Sequence, residues 1–182
     1  MRRAVTTGVF ATAQLALALA QAPDFSGTWR LDTERSRIAP TAGLAGLAGA
    51  GAPATLHVTQ PANGTVVIES QINEGHARLY KSGIRIVTPV TVGPGGSVAM
   101  TSRWDGRTLV SEGTREASSG TATTTQQVKE VIGVAADGLT LTIDITTSGP
   151  EGTSTSTLMY TRILDVGPCK TWPTPCKTPS SR

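Results

Sequence analysis

The sequence has few of the residues that most often carry catalysis, metal binding or base stacking. Among its 182 residues are two histidines, two cysteines, three tryptophans, two tyrosines and two phenylalanines. So few aromatic rings argue against a base-stacking surface for nucleic acid and against the aromatic girdles of a transmembrane barrel. His57 and His76 fall on separate predicted strands; Glu69 or Glu74 could lie near them in a meander, but nothing in the spacing demands it. We therefore expect two partly exposed strand residues rather than a metal site.

The motifs of common catalytic sites are also missing. No Gly-x-Ser-x-Gly elbow occurs for acyl transfer, and the glycine-rich run at 43–51 lacks the Lys-Ser/Thr ending of a phosphate loop. Paired carboxylates for glycoside hydrolysis would have to come from Glu112, Glu116, Glu130 and Asp144, whose spacing shows no preference. A solvated outer face accounts for all four. The sequence therefore predicts no catalytic residue, metal or cofactor, and a protein that is not an enzyme.

The first 20 residues have the pattern of a secretory signal peptide. Arg2 and Arg3 precede an apolar stretch at 8–20, and small residues suit cleavage after Ala20 or Ala22. The stretch is shorter than the roughly 20 apolar residues that a membrane span needs, and no later segment is long or apolar enough. We expect export to the periplasm or the extracellular space.

Export would also change the charge of the protein. Loss of Arg2 and Arg3 leaves 14 basic residues against 13 acidic ones, so the net charge falls from +3 to +1. Nucleic-acid binding needs a clustered basic face, and a nearly neutral mature chain gives no electrostatic case for one.

Both cysteines lie in an irregular tail at 165–182 that is rich in Pro, Thr and Ser. In an exported chain, Cys169 and Cys176 most simply form one disulfide. The loop that they close is short, so we expect the bond to stiffen the tail and to add little stability to the core.

Turn signals at regular spacing predict an all-β domain over residues 23–164. Asn-Gly and Asp-Gly pairs suit tight hairpins, and residues 139–146 alternate strictly between apolar and polar, as a half-buried strand does. We expect an antiparallel up-and-down meander of eight to ten strands. Closure into a barrel removes exposed edges and is preferred to a β-sandwich. The turn signals are Asn63-Gly64, Asn73-Glu74-Gly75, Ser82-Gly83, the run 93–96, Asp105-Gly106, Ser118-Ser119-Gly120, Asp137-Gly138 and the run 150–152.

A low-complexity Gly/Ala-rich segment occupies residues 39–54. Such a composition predicts flexibility. Two interpretations are open, a lid over a cavity mouth and a disordered insertion between the first two strands, and the composition favours the second.

The opening of the mature domain resembles the lipocalin-type barrels. Phe25-Ser26-Gly27-Thr28-Trp29 contains the Gly-x-Trp signature of a first strand, and Arg162 near the end of the last strand matches the Arg that packs across that Trp. The chain is also similar to uncharacterised exported bacterial proteins of lipocalin-like type. The resemblance implies that Gly27, Trp29 and Arg162 close one end of a barrel, with any ligand mouth at the other end.

The resemblance also implies a possible cavity for one small apolar or amphiphilic molecule. The apolar positions of the predicted strands either line this cavity or fill the core. An alternative function is a secreted or envelope-associated interaction module with a filled barrel, which uses its outer face or the tail around Trp172. The oligomeric state stays open. The candidate lining residues are Val98, Met100, Trp104, Leu141, Ile143, Leu158 and Tyr160, with Leu139 and Ile145 at the same parity.

Overall fold

The structure is a computed structural model that describes residues 22–39, 42–44, 52–70, 77–90, 95–119 and 122–164. The predicted signal peptide, His76, both cysteines and the tail lie outside the described residues. The described residues form ten strands: β1 Gly27–Leu31, β2 Thr55–Thr59, β3 Val66–Ser70, β4 Ala77–Tyr80, β5 Arg85–Pro89, β6 Gly96–Asp105, β7 Thr108–Ser119, β8 Ala122–Val134, β9 Thr140–Gly149 and β10 Gly152–Ile163.

The strands form one antiparallel up-and-down sheet that curls into a nearly closed barrel. Its order is β4-β3-β2-β1-β10-β9-β8-β7-β6-β5, so the first strand pairs with the last, as predicted. The barrel is incomplete at a different place, between β4 and β5. The described part of the chain contains no helix, and hence none long and apolar enough to cross a membrane.

Local sequence explains the hairpins and the two faces of the sheet. Gly106 and Gly138 take positive φ angles of 57° and 72° in the turns where Asp-Gly pairs predict them. On β9, Ile143 and Ile145 are buried and Asp144 between them is exposed. Period-two alternation therefore decides which side chains enter the barrel.

The barrel interior contains two apolar clusters with polar residues between them. The larger cluster lies toward the end where the chain enters β1 and leaves β10, here called the closed end. The smaller cluster lies toward the opposite end, here called the open end. On β6, β7 and β8 the inward residues between the clusters are Ser102, Ser111 and Glu130, all at most 3% exposed. The smaller cluster consists of Val90, Val98, Met100 and Val128, and the larger includes Trp29, Leu44, Leu56, Ile68, Ile132, Leu141, Ile143, Leu158 and Tyr160.

The Gly/Ala-rich segment enters the larger cluster. Ala42 and Leu44 are fully buried, and Ala39 N–H donates to Ser156 Oγ at 2.8 Å. Further along, Tyr160 O–H donates to the carbonyl of Pro53 at 3.1 Å. Composition predicts flexibility for this segment, but its described residues are held by core contacts. The small Ala42 side chain and Leu44 belong to the larger core cluster, which composition does not reveal.

Candidate functional site

The closed end is sealed by the pair that the first and last strands bring together. Trp29 is fully buried and lies directly opposite Arg162 in the β1–β10 register. The guanidinium carbon of Arg162 is 4.4 Å from the centre of the indole ring, a cation–π distance. Arg162 Nη1 donates to the carbonyl of Ser26 at 2.9 Å, and Trp29 Nε1–H donates to the carbonyl of Phe25 at 3.0 Å. The expected contact is confirmed.

Gly27 allows the close approach of Arg162. Its φ angle is 144°, and a Cβ atom at this position would lie 3.3 Å from Arg162 Nη1. The Phe25 and Trp104 rings add a tilted contact at 5.4 Å between centroids. These contacts fill the barrel interior beneath this end with side chains, and a shallow hollow lined by Pro23, Arg107 and Val134 lies on the surface outside them.

The middle of the barrel contains a buried ionic group that the sequence analysis missed. Arg78 on β4 and Glu130 on β8 are each 1% exposed. Arg78 Nη2 is 3.0 Å from both carboxylate oxygens of Glu130, and Tyr80 O–H donates to one of them at 2.9 Å. The guanidinium also lies 5.3 Å from the centre of the Tyr80 ring. The prediction of a solvated outer face is wrong for Glu130.

The signal for Glu130 lies in its own strand. Val128 and Ile132 are two positions away on either side, and both are buried. Residues at i and i±2 share one face of a strand, so this parity points Glu130 inward. An isolated buried charge is highly unfavourable unless a partner compensates it. Without knowledge of Arg78 as that partner, the sequence therefore favours an exposed Glu130 in spite of the parity.

The three groups compensate one another electrostatically. Burial by itself would lower the pKa of Arg78, but the charge and hydrogen bond of Glu130 outweigh it, and the pKa is raised. Burial raises the pKa of Tyr80 well above its usual range, so the phenol keeps its proton and donates to Glu130. Ser111 lies directly opposite Glu130 and shares a 2.9 Å hydrogen bond with Ser102. This layer carries no net charge and separates the two apolar clusters.

The open end carries an inward cation above the smaller apolar cluster. Arg115 on β7 lies opposite Val98 on β6 and Gln126 on β8, and is partly buried. Its Nε–H is buried and has no acceptor among the described residues, and burial lowers the pKa of the guanidinium. Arg115 is separated by even numbers of residues from Leu109 and Ser111, which are buried. Residues at this spacing share one face of a strand, so the sequence pattern directs the Arg115 side chain inward.

The candidate lining residues divide between the two clusters. Val98 and Met100 belong to the smaller one. Leu139 precedes β9 and is 42% exposed, so it lines nothing. The others lie in or against the larger, side-chain-filled cluster: Trp104, Leu141, Ile143, Ile145, Leu158 and Tyr160.

His57 lies on the outer face of β2 and is only 7% exposed, against the expectation of a partly exposed residue. The Oγ1 atom of Thr28 is 2.9 Å from His57 Nδ1, and Glu69 lies opposite His57 on β3. A hydroxyl, an imidazole and a carboxylate are thus neighbours in one row, as in nucleophilic sites. Burial, however, lowers the pKa of His57 to about 4, which makes it a weak base at neutral pH.

Metal-binding geometry and known relatives give no further assignment. The described residues contain no group of three or more His, Cys, Asp or Glu that could hold a metal ion. No protein-family model matches the chain, and no curated protein matches it. Within the described part of the chain, the candidate site is therefore the open end of the barrel. There Arg115 lies beside the smaller apolar cluster, and the neutral polar layer separates this cluster from the larger one.

Proposed function

We propose that this protein is an exported, non-catalytic, lipocalin-like barrel that binds a small amphiphilic molecule with an anionic head group at its open end. The observation that carries the proposal is Arg115, an inward guanidinium whose buried Nε–H has no acceptor among the described residues. A buried polar group without a hydrogen bond is costly. A carboxylate or phosphate would satisfy it, since the guanidinium fork matches the geometry of these anions.

The surroundings of Arg115 favour an amphiphile over a simple anion. Val98 lies directly opposite Arg115, and it packs in the smaller cluster with Val90, Met100 and Val128. Small-molecule sites are mostly apolar, with a few polar groups that orient the ligand. An acyl chain would contact the four apolar side chains while its head group meets Arg115.

The rest of the interior limits the ligand to this end. Trp29 and Arg162 close the other end, and Leu44 and Tyr160 fill the larger cluster. The polar layer next to the smaller cluster does not repel an anion, because Arg78 neutralises the charge of Glu130 and Tyr80 donates a hydrogen bond to it. Of the candidate lining residues, this proposal therefore keeps Val98 and Met100 as ligand contacts. The candidates in or against the larger cluster pack the core.

The test is calorimetric titration of the mature protein with a saturated fatty acid and the fatty alcohol of equal chain length. We expect the acid to bind at least about tenfold more tightly, equivalent to about 1.4 kcal/mol. Arg115→Gln should remove this difference, and Arg30→Gln, a change at an exposed position on β1, should preserve it. Equal affinities for acid and alcohol, or no binding of either, would contradict the proposal. Native mass spectrometry of protein from its own host would then identify the natural ligand.

A further inference from the structure

The incomplete closure of the barrel leaves two strand edges side by side. We call the facing edges of β4 (Ala77–Tyr80) and β5 (Arg85–Pro89) the seam. Within the described residues, β4 pairs only with β3 and β5 only with β6. The turn between them is tied to β6, where Gly83 N–H donates to the carbonyl of Ser102 at 2.8 Å. Among the described strands no ladder of hydrogen bonds joins β4 to β5, which is the condition for strand addition.

The outer surface around the seam is apolar. Leu79 on β4 is 42% exposed, Ile84 in the turn 49% and Val87 on β5 56%. These are half of the six exposed large hydrophobic residues of the described chain. The outward residues of β9, by contrast, are three threonines, Asp144 and Ser148. Exposed apolar side chains that cluster beside free backbone edges indicate an interaction surface.

The charge beside the seam selects among possible occupants. Lys81 and Arg85 are exposed, and neither forms an ion pair within the described part of the chain. Arg78 adds no net charge, because Glu130 neutralises it inside the barrel. In a second copy of this chain the same edge would bring like charges together, which disfavours self-association. An acidic segment would be attracted.

We propose that the seam binds an extended acidic segment of a partner protein, which adds as a strand between β4 and β5. Alternate apolar side chains of the segment pack on Leu79 and Val87, and acidic residues at one end pair with Lys81 and Arg85. Strand addition of this kind takes affinity from main-chain hydrogen bonds and specificity from alternate side chains. Pro89 ends β5 and has no N–H to donate, so the paired stretch is short, about four residues on the length of β4.

The proposal is tested with a labelled peptide of sequence Glu-Glu-Val-Thr-Val-Thr-Val and a second peptide in which both Glu are Lys. Fluorescence anisotropy with the mature protein should give at least about tenfold tighter binding of the acidic peptide, since 1.4 kcal/mol corresponds to a factor of ten. Hydrogen exchange should show protection of β4 and β5 amides on binding. Methylation of alternate peptide nitrogens should abolish binding, because it removes main-chain donors.

Matched variants locate the site. Val87→Gln, which removes an apolar contact without changing the charge, should weaken the acidic peptide by at least about tenfold. Leu139→Gln, at an exposed apolar position away from the seam, should leave its affinity unchanged. Thermal melts check that both variants fold. Equal binding of both peptides, retained binding in Val87→Gln, or no binding at millimolar peptide would overturn the proposal. A concentration-dependent dimer that Val87→Gln dissolves would overturn it in favour of a second copy.

Discussion

Arg78 and Glu130 form an ion pair across the barrel interior, 52 residues apart in sequence, with both carboxylate oxygens 3.0 Å from one guanidinium nitrogen. Arg78 lies on β4, beside the seam, and Glu130 lies on β8 in another part of the wall. The pair therefore connects β4, the edge strand of the sheet, to β8, with which β4 forms no hydrogen-bonded pairing. Both charged groups are buried, and each compensates the other inside the barrel.

This pair predicts a strong asymmetry between single and double substitution. Glu130→Gln should destabilise the protein by about 3–5 kcal/mol, because it leaves the Arg78 charge buried without a counter-charge. The double variant Arg78→Met with Glu130→Leu should recover most of this loss, since apolar residues of similar volume need no compensation. Urea denaturation gives both free energies of unfolding. Additive losses in the double variant would show that the pair does not act as a unit.

Trp29 and Arg162 should contribute to stability through packing and geometry. We expect Trp29→Ala to cost about 3–5 kcal/mol through the cavity that it leaves. Arg162→Lys should also destabilise, because an ammonium lacks the planar fork that covers the indole and reaches the carbonyl of Ser26. Arg30→Lys, at an exposed position of β1, is the matched control. If Arg162→Lys melts at the temperature of Arg30→Lys, the stacked geometry has no energetic role.

His57 should make stability depend on pH between about 4 and 6.5. The unfolded chain takes up a proton near the ordinary pKa of 6.5, but burial holds the folded pKa at about 4. Stability is therefore highest above pH 6.5 and falls as the pH drops toward 4, by at most about 3 kcal/mol at about 1.4 kcal/mol per pKa unit. Denaturation curves at a series of pH values measure it. His57→Gln should flatten this segment of the profile, and an unchanged slope would assign it to other groups.

Leu44 tests whether the Gly/Ala-rich segment belongs to the core. Since Leu44 is fully buried, Leu44→Ala should cost about 2–5 kcal/mol. Leu164→Ala is the control, because Leu164 is 77% exposed. Equal melting temperatures for the two variants would show that Leu44 adds nothing to core stability and would favour the interpretation of the segment as a disordered insertion.

The cysteine pair stays a prediction from the sequence. We expect no free thiol in the denatured, unreduced mature protein, because Cys169 and Cys176 are the two cysteines of an exported chain. The loop that they close is short, so its loss should cost little stability. The double variant Cys169→Ser with Cys176→Ser should melt within a few degrees of the parent protein. A large drop in melting temperature would show that the tail supports the barrel.

Much of the architecture follows from local patterns. Asp-Gly pairs mark the turns at Gly106 and Gly138 because their backbone needs positive φ, and alternation along β9 marks the buried face. The contact of Trp29 with Arg162 was expected from the resemblance to lipocalin-type barrels, and closure of the meander brings the first and last strands together as that contact requires. The turn and alternation signals act over a few residues.

The sequence by itself determined the all-β class, the turns at Gly106 and Gly138 and the inward parity of β9, because a strand repeats every two residues whatever it packs against. Only the tertiary structure decided that Glu130 finds Arg78, that Leu44 lies in the core, and that the sheet stays open between β4 and β5. These features depend on side chains from distant parts of the chain that meet inside a curved wall. The curvature and register that bring them together are properties of the whole sheet.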